Sequence, residues 1–401
     1  MLKFLSETND VVNTSKAITL AIDSIKNKWK DSNIHTLILH VTIGHSLEEL
    51  LRETKRLCPD TKIVGCTCAG VIGYKKVYES MRALSVMAIA TENEDEIVIS
   101  YAEKINGENS YQSAKQMAQD LKNKNSDINM LMLLLPGFDV AADQVISGIE
   151  SEFDTSIPIF GGLASDNMKA IASYQFLNRK IFEHTALLIG FADPSLEVQM
   201  GVHHGSLPVG NEFTVTKSAG NKVYEIKNRP AWEFLMDELN LPHNTHPGPC
   251  IPIAGLGEKL DSTLHEEYNN QHILRVITKV DSDFSIYLPV NCEPGTKLIL
   301  TQRNEDLIFS GLSSLIERMK PSLLTKEIAA VFHTDCGARG RAMFDIINKE
   351  EIIQIMQDLV KENGSVPWLG MYGFGEFTLL GNRNRFHNYT SSLYILTRNR
   401  T

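Results

Sequence analysis

One order of elements recurs three times along this chain, and it restricts the fold more than any other feature. A short apolar strand is followed by a loop, a helix, a proline-containing turn, an apolar–glycine step and a returning strand. Such alternation specifies an α/β fold. In the first pass Thr36–Val41 is the strand, and Ser46 opens a helix with Glu49 three residues on, which is a capping-box pattern. The helix carries Leu47, Leu50, Leu51 and Leu57 and stops at Pro59; Ile63-Val64-Gly65 and a strand over Ala83–Ala90 follow. The second pass runs through Met130–Leu135, a helix over about Val140–Phe153, Pro158-Ile159-Phe160-Gly161-Gly162 and Thr185–Phe191. The third runs through Ile328–His333, a helix over Glu350–Glu362, Pro367-Trp368-Leu369-Gly370 and Ser392–Thr397. Spacings differ between passes and few residues are shared, so the repeat rests on the order of elements. Loops leaving strands in such sheets gather at one edge, where ligands bind.

At 401 residues the chain exceeds one ordinary core. We expect two mixed-sheet α/β domains built from these strand–helix–strand units, at residues 1–210 and 211–401. The boundary falls near a middle region of short strands at Glu197–Val202, Phe213–Lys217 and Asn221–Ile226. With 43% apolar and 22% charged residues, a large core is expected and bulk disorder is not. The net charge of −10 repels phosphate backbones, which argues against nucleic-acid binding. No apolar run approaches the roughly 20 residues of a membrane helix, and Met1–Glu7 is unlike a signal peptide. Both point to a cytoplasmic protein without membrane insertion, whose six cysteines are thiols.

Four stretches carry chemistry. Gly65-Cys66-Thr67-Cys68-Ala69-Gly70 and Phe160-Gly161-Gly162-Leu163-Ala164-Ser165-Asp166 both place small residues at a strand end, where a backbone or ligand can approach closely. Neither is a nucleotide-binding loop, since the glycine spacing and the Gly-Lys-Thr signature are absent. His333-Thr334-Asp335-Cys336-Gly337-Ala338-Arg339-Gly340-Arg341 crowds a thiol, a carboxylate and two guanidiniums. Adjacent positive charge would lower the Cys336 pKa. Arg339 suits two-pronged binding of a carboxylate or phosphate. In Gly370–Asn388 three glycines interleave with apolar residues around Glu376, a carboxylate that needs a partner. Arg339 is the expected one. His387 and Asn388 close this stretch. His203 and His204 end a strand and should point to opposite faces, so one of them, and not both, could serve haem iron. No nucleophile elbow or metalloprotease helix is present, and the chain reads as a non-enzyme.

Taken together and in this order, the motifs resemble the FIST family, from about Thr36 to Leu396. The resemblance rests on Ile63–Gly70, on Pro158–Asp166, on Cys336-x-x-Arg339, on Gly373-Phe374-Gly375-Glu376-Phe377 and on His387-Asn388-x-Thr390. It implies a sensor that binds a small molecule and signals to another protein, a histidine kinase or a cyclic-dinucleotide enzyme. Ligand-facing residues would be Cys66, Gly161, Gly162, Cys336, Arg339, Gly375, Glu376, His387 and Asn388. No cofactor is specified. Some stand-alone members are haem proteins that sense nitric oxide and regulate a kinase, and for that alternative His203 and His204 are the metal candidates. A thiol-dependent enzyme using Cys336 is a further alternative. This chain lacks the output domains of the fused members, so it would act on a separate partner.

Overall fold

The computed structural model describes residues 1–30, 33–250, 254–340, 346–360 and 364–400. Among them, three six-stranded sheets repeat one plan around a shared interior. The first unit is β1 (Lys3–Asn9), α1 (Thr14–Lys28), β2 (Ile34–Thr42), α2 (Leu47–Leu57), β3 (Lys62–Cys68), the hairpin β4 (Gly70–Gly73) and β5 (Lys76–Tyr78), and β6 (Leu84–Ala90). The second is β7 (Ile97–Ala102), α3 (Ser110–Lys124), β8 (Met130–Leu135), α4 (Ala142–Glu150), β9 (Ile159–Leu163), the hairpin β10 (Gln175–Leu177) and β11 (Lys180–Phe182), and β12 (Ala186–Phe191). The third starts with β13 (Glu197–His203). After an insertion it continues through α5 (Glu305–Leu323), β14 (Lys326–Cys336), α6 (Ile346–Asp358), β15 (Trp368–Gly373), the hairpin β16 (Glu376–Leu380) and β17 (Arg383–His387), and β18 (Ser391–Asn399).

Local chemistry explains the helices. Asn13 caps α1 by accepting from the Lys16 N–H, and Ala17, Ile18, Ala21, Ile22 and Ile25 form its buried stripe. Ser46 Oγ accepts the Glu49 N–H at 3.3 Å, as the capping pattern predicts.

In each unit the two strands joined by the second helix are parallel: β2 with β3, β8 with β9, β14 with β15. The returning strand lies antiparallel on the other side of the first. The α/β class and the repeated units expected from the sequence are both present. The hairpins are exchanged in a cycle that local patterning does not reveal. β4–β5 extends the third sheet through β15, β10–β11 extends the first through β3, and β16–β17 extends the second through β9. Each sheet packs its outer face on its own helices. The inner faces meet in one core containing Ile38, Val64, Met132, Phe160, Phe332 and Tyr394.

The apolar–glycine steps are structurally equivalent. Gly65, Gly161 and Gly370 stand in register with Leu39, Leu133 and His333 of the neighbouring parallel strand. A Cβ at these glycines would lie 2.0, 2.3 and 2.9 Å from that neighbour's carbonyl oxygen. Beyond them, three backbone hydrogen bonds form a ring. The Ser165 N–H donates to Thr67 O at 3.0 Å, the Phe374 N–H to Leu163 O at 3.1 Å and the Ala69 N–H to Tyr372 O at 3.0 Å. Each acceptor lies two residues past a step glycine, so the ring carries the threefold relation to the strand ends.

The insertion, Ser206–Arg303, forms an eight-stranded sheet with the helix Ala231–Glu238 and a core of its own around Trp232 and Phe234. Position 210 lies within its strand Ser206–Ala219.

Candidate functional site

The carboxyl end of β14 carries a buried polar cluster. Asp335 Oδ2 accepts from Ser391 Oγ at 3.0 Å, and His333 Nε2 meets the same hydroxyl at 3.0 Å. Arg339, only 3% exposed, brings its Nε within 3.6 Å of Asp335 Oδ1, too far for a hydrogen bond. Among the described residues none of the three guanidinium nitrogens of Arg339 has a hydrogen-bond partner, and Asp335 Oδ1 has none either. Burial works to raise the Asp335 carboxyl. Arg339, with the His333 and Ser391 contacts, outweighs it and holds the group below its ordinary value. Arg303, from the last strand of the insertion, donates through Nη1 to the Ala338 carbonyl and leaves its buried Nε unpartnered. Burial lowers the Arg303 pKa to about 10. The Arg339 guanidinium therefore lies close to an ionised carboxylate, and Arg303 comes in beside it at Ala338.

A second group lies across β18. Glu376 is fully buried, and its Oε2 accepts from the Thr390 N–H at 3.2 Å and the Thr390 hydroxyl at 2.7 Å. Its Oε1 is unpartnered. Burial pushes the Glu376 carboxyl well above its ordinary value, against the lowering effect of the Thr390 bonds. The expected Glu376–Arg339 partnership is corrected here. Thr390 is the partner, because Glu376 opens β16 facing the start of β18, whereas Arg339 lies with Asp335, which bonds the next residue, Ser391. The Tyr268 hydroxyl lies 3.2 Å from His387 Nδ1, and His387 Nε2 is buried without a partner. Asn388 fastens the strand end to the insertion, donating to Phe374 O at 3.1 Å and accepting the Val276 N–H at 3.1 Å.

The structure thus gathers Cys336, Arg339, Glu376, His387 and Asn388 between the third unit and the insertion. Gly161, Gly162 and Gly375 support them from behind. Glu376 pairs with Gly162 across the exchanged hairpin, and the Leu163 N–H donates to Gly375 O at 3.0 Å. Cys66 lies apart, in the inner core. Arg341 is outside the described residues. Sequence reasoning missed Ser391, Tyr268 and Arg303. The last two come from the insertion, and only the tertiary fold brings them to the motifs.

Two further expectations change. The Cys336 thiol is raised well above its ordinary value, first by burial and then by Glu376, so it is not an activated nucleophile. His203 and His204 do not diverge, because the strand ends at His203. Their rings stand 6.2 Å apart and nearly parallel. His204 Nδ1 accepts the Ser206 N–H and its Nε2 bonds the His272 carbonyl, leaving neither nitrogen for iron. The His203 ring packs on Gly311 and bonds Leu307 O. This pair does not fit a haem axial ligand. Among the described residues no group of three or more His, Cys, Asp or Glu side chains could hold a metal ion.

Residues 36–229 match the FIST N domain and residues 238–378 the FIST C domain. The chain is 20% identical over 353 residues to an uncharacterized protein of Mycobacterium tuberculosis, covering 86% of each. An uncharacterized protein of Methanocaldococcus jannaschii is 22% identical over 397 residues, covering 92% of this chain and 74% of its own. Among solved structures, two cyanuric acid hydrolases, one of them from A. caulinodans, are similar along 99% and 100% of this chain and 100% of theirs. They are 8% identical, with TM-scores of 0.38 and 0.36. Both are named as enzymes, so the expectation of a non-enzyme is not kept. At those values the likeness assigns no chemistry to this chain.

Proposed function

This chain belongs to the FIST family, whose domains are signal-transduction sensors that bind small ligands, and from that premise we propose that it reports a small anionic ligand, held by Arg339, to a separate signalling protein. The observation that carries the reading is the buried guanidinium with no hydrogen bond on any nitrogen. A buried guanidinium whose only ion partner, Asp335, stands at 3.6 Å and whose nitrogens make no hydrogen bond carries an uncompensated desolvation cost, on the order of several kcal/mol. A guanidinium presents a fork of donors matched to a carboxylate or phosphate, so a bound anion would remove that cost. Arg303 adds a second donor, while Asp335 Oδ1 and Glu376 Oε1 offer polar atoms for the remainder of the ligand.

No helix among the described residues is long and apolar enough to cross a membrane. The reading places the ligand in the cytoplasm and keeps a histidine kinase or a cyclic-dinucleotide enzyme as the kind of partner. The geometry of His203 and His204 gives the haem alternative no support.

Thermal shift tests the reading with three panels of probes: amino acids, carboxylates and phosphate esters. A binder at 100 times its dissociation constant should add about 2.7 kcal/mol. Arg339→Leu should abolish that gain and Arg339→Lys should retain part of it. A binder that stabilises wild type and Arg339→Leu equally would remove Arg339 from the site, and no stabilisation by any panel would count against an anionic ligand.

A further inference from the structure

The inner core holds a histidine that the site above does not use. His40 is 2% exposed; the Gly370 carbonyl lies near its ring without completing a well-formed hydrogen bond, and no other partner reaches either nitrogen. Buried polar atoms without partners are uncommon and call for an explanation. Along β2, Leu37, Leu39 and Val41 face the helices, so Ile38 and His40 face inward. Cys66 stands in register with His40 on the neighbouring parallel strand, and it also faces inward. Its Sγ lies 3.6 Å from the Sδ of Met371. Cys66, Gly162 and Met371 each follow a step glycine, so they are equivalent positions of the three units, and the glycine is the one that adds no side chain. A nitrogen, a thiol and a thioether therefore converge where the three sheets meet.

We propose that His40, Cys66 and Met371 form a binding site for a soft monovalent cation, copper(I). Thiolate and thioether sulfur select this ion, and imidazole suits it as well. Charge selects it too. The Cys66 thiol gives up its proton and forms the Cu–S bond; the proton leaves to solvent and copper stays at +1. Thiolate and ion then sum to zero, so a core with no other charge accepts them. A divalent ion in the same place would leave an uncompensated charge in apolar surroundings, which is costly. The Gly370 carbonyl lies near the His40 ring. A metal-bound histidine commonly turns its other N–H to a backbone carbonyl, and Gly370, the residue before Met371, supplies one nearby.

The test is anaerobic titration of the full chain with copper(I) against a chromophoric copper(I) chelator, both on folded protein and during refolding. One equivalent should be retained, with release of one proton per copper. Met371→Leu conserves volume and should fold, and it should lower affinity by at least about tenfold. Cys66→Ala should lose the equivalent, while Cys68→Ala and Cys336→Ala should keep it. Failure of wild type to hold copper against the chelator under both conditions overturns the proposal. So does unchanged affinity in Met371→Leu, which decides the matter even if Cys66→Ala does not fold.

Discussion

Replacing Gly65 with alanine should destabilise the protein by about 3 kcal/mol, as overpacking of a filled core does. The new Cβ would meet the Leu39 carbonyl oxygen at 2.0 Å and the Phe176 ring at 2.6 Å. Neither can yield cheaply. Leu39 is held in the centre of the first sheet, and Phe176 belongs to β10, the strand that the second unit lends to that sheet. The substitution therefore strains the joint between units as well as one strand. Gly161→Ala should be at least as harmful, since its φ of +114° adds a backbone conformation that side chains disfavour. Gly107→Ala is the control, because its Cβ would meet only Asp139 Oδ1 at 3.7 Å. Urea denaturation measures all three. Gly65→Ala within about 1 kcal/mol of wild type would show that the glycine steps do not require close packing.

Glu376→Gln should make the ligand-free protein more stable at pH 8 and flatten the dependence of its stability on pH. Burial raises the folded carboxyl well above its ordinary value of 4.5. The folded state thus holds a proton that the unfolded chain releases above that pH. With more protons bound to the folded state, stability falls as pH rises, by about 1 kcal/mol per pH unit, from the unfolded pKa up to the folded one. Stability from this group is full below the unfolded pKa and is lost as pH rises through the folded one. Asp335 works in the opposite sense. Its lowered pKa gives stability that is present above its unfolded value and lost as pH falls through the folded one. Glutamine keeps an oxygen for the Thr390 N–H and hydroxyl, and it carries no titrating proton. Denaturation curves for both proteins from pH 5 to 8 provide the measurement. Parallel curves would mean that Glu376 is ionised in the fold and that its unpartnered Oε1 is satisfied in another way.

The strands and steps were legible because they are local. Met130–Leu135 is a strand as read, and the glycines at 65, 161 and 370 mark equivalent positions because each faces a carbonyl that leaves no room for a Cβ. The exchanged hairpins were not legible. Which sheet a three-residue strand such as Lys180–Phe182 joins is set by packing between units, far from it in sequence. The site divided in the same way. Arg339 and Glu376 stood out as charges in small-residue loops, but the fold decides that Thr390 faces Glu376 while Ser391 faces Asp335. Tyr268 and Arg303 lie in an insertion that carries no motif. For the Cys336 thiol, local charge pointed one way and burial, which a sequence does not display, prevailed.

The central claim is that an anion fills the hydrogen-bonding fork that the Arg339 guanidinium leaves open. Native mass spectrometry of the protein isolated gently from its source, beside Arg339→Leu prepared identically, tests it most directly. The account predicts one small molecule bearing a carboxylate or phosphate on the wild-type chain and none on the variant. The same molecule on both chains at equal occupancy would contradict it.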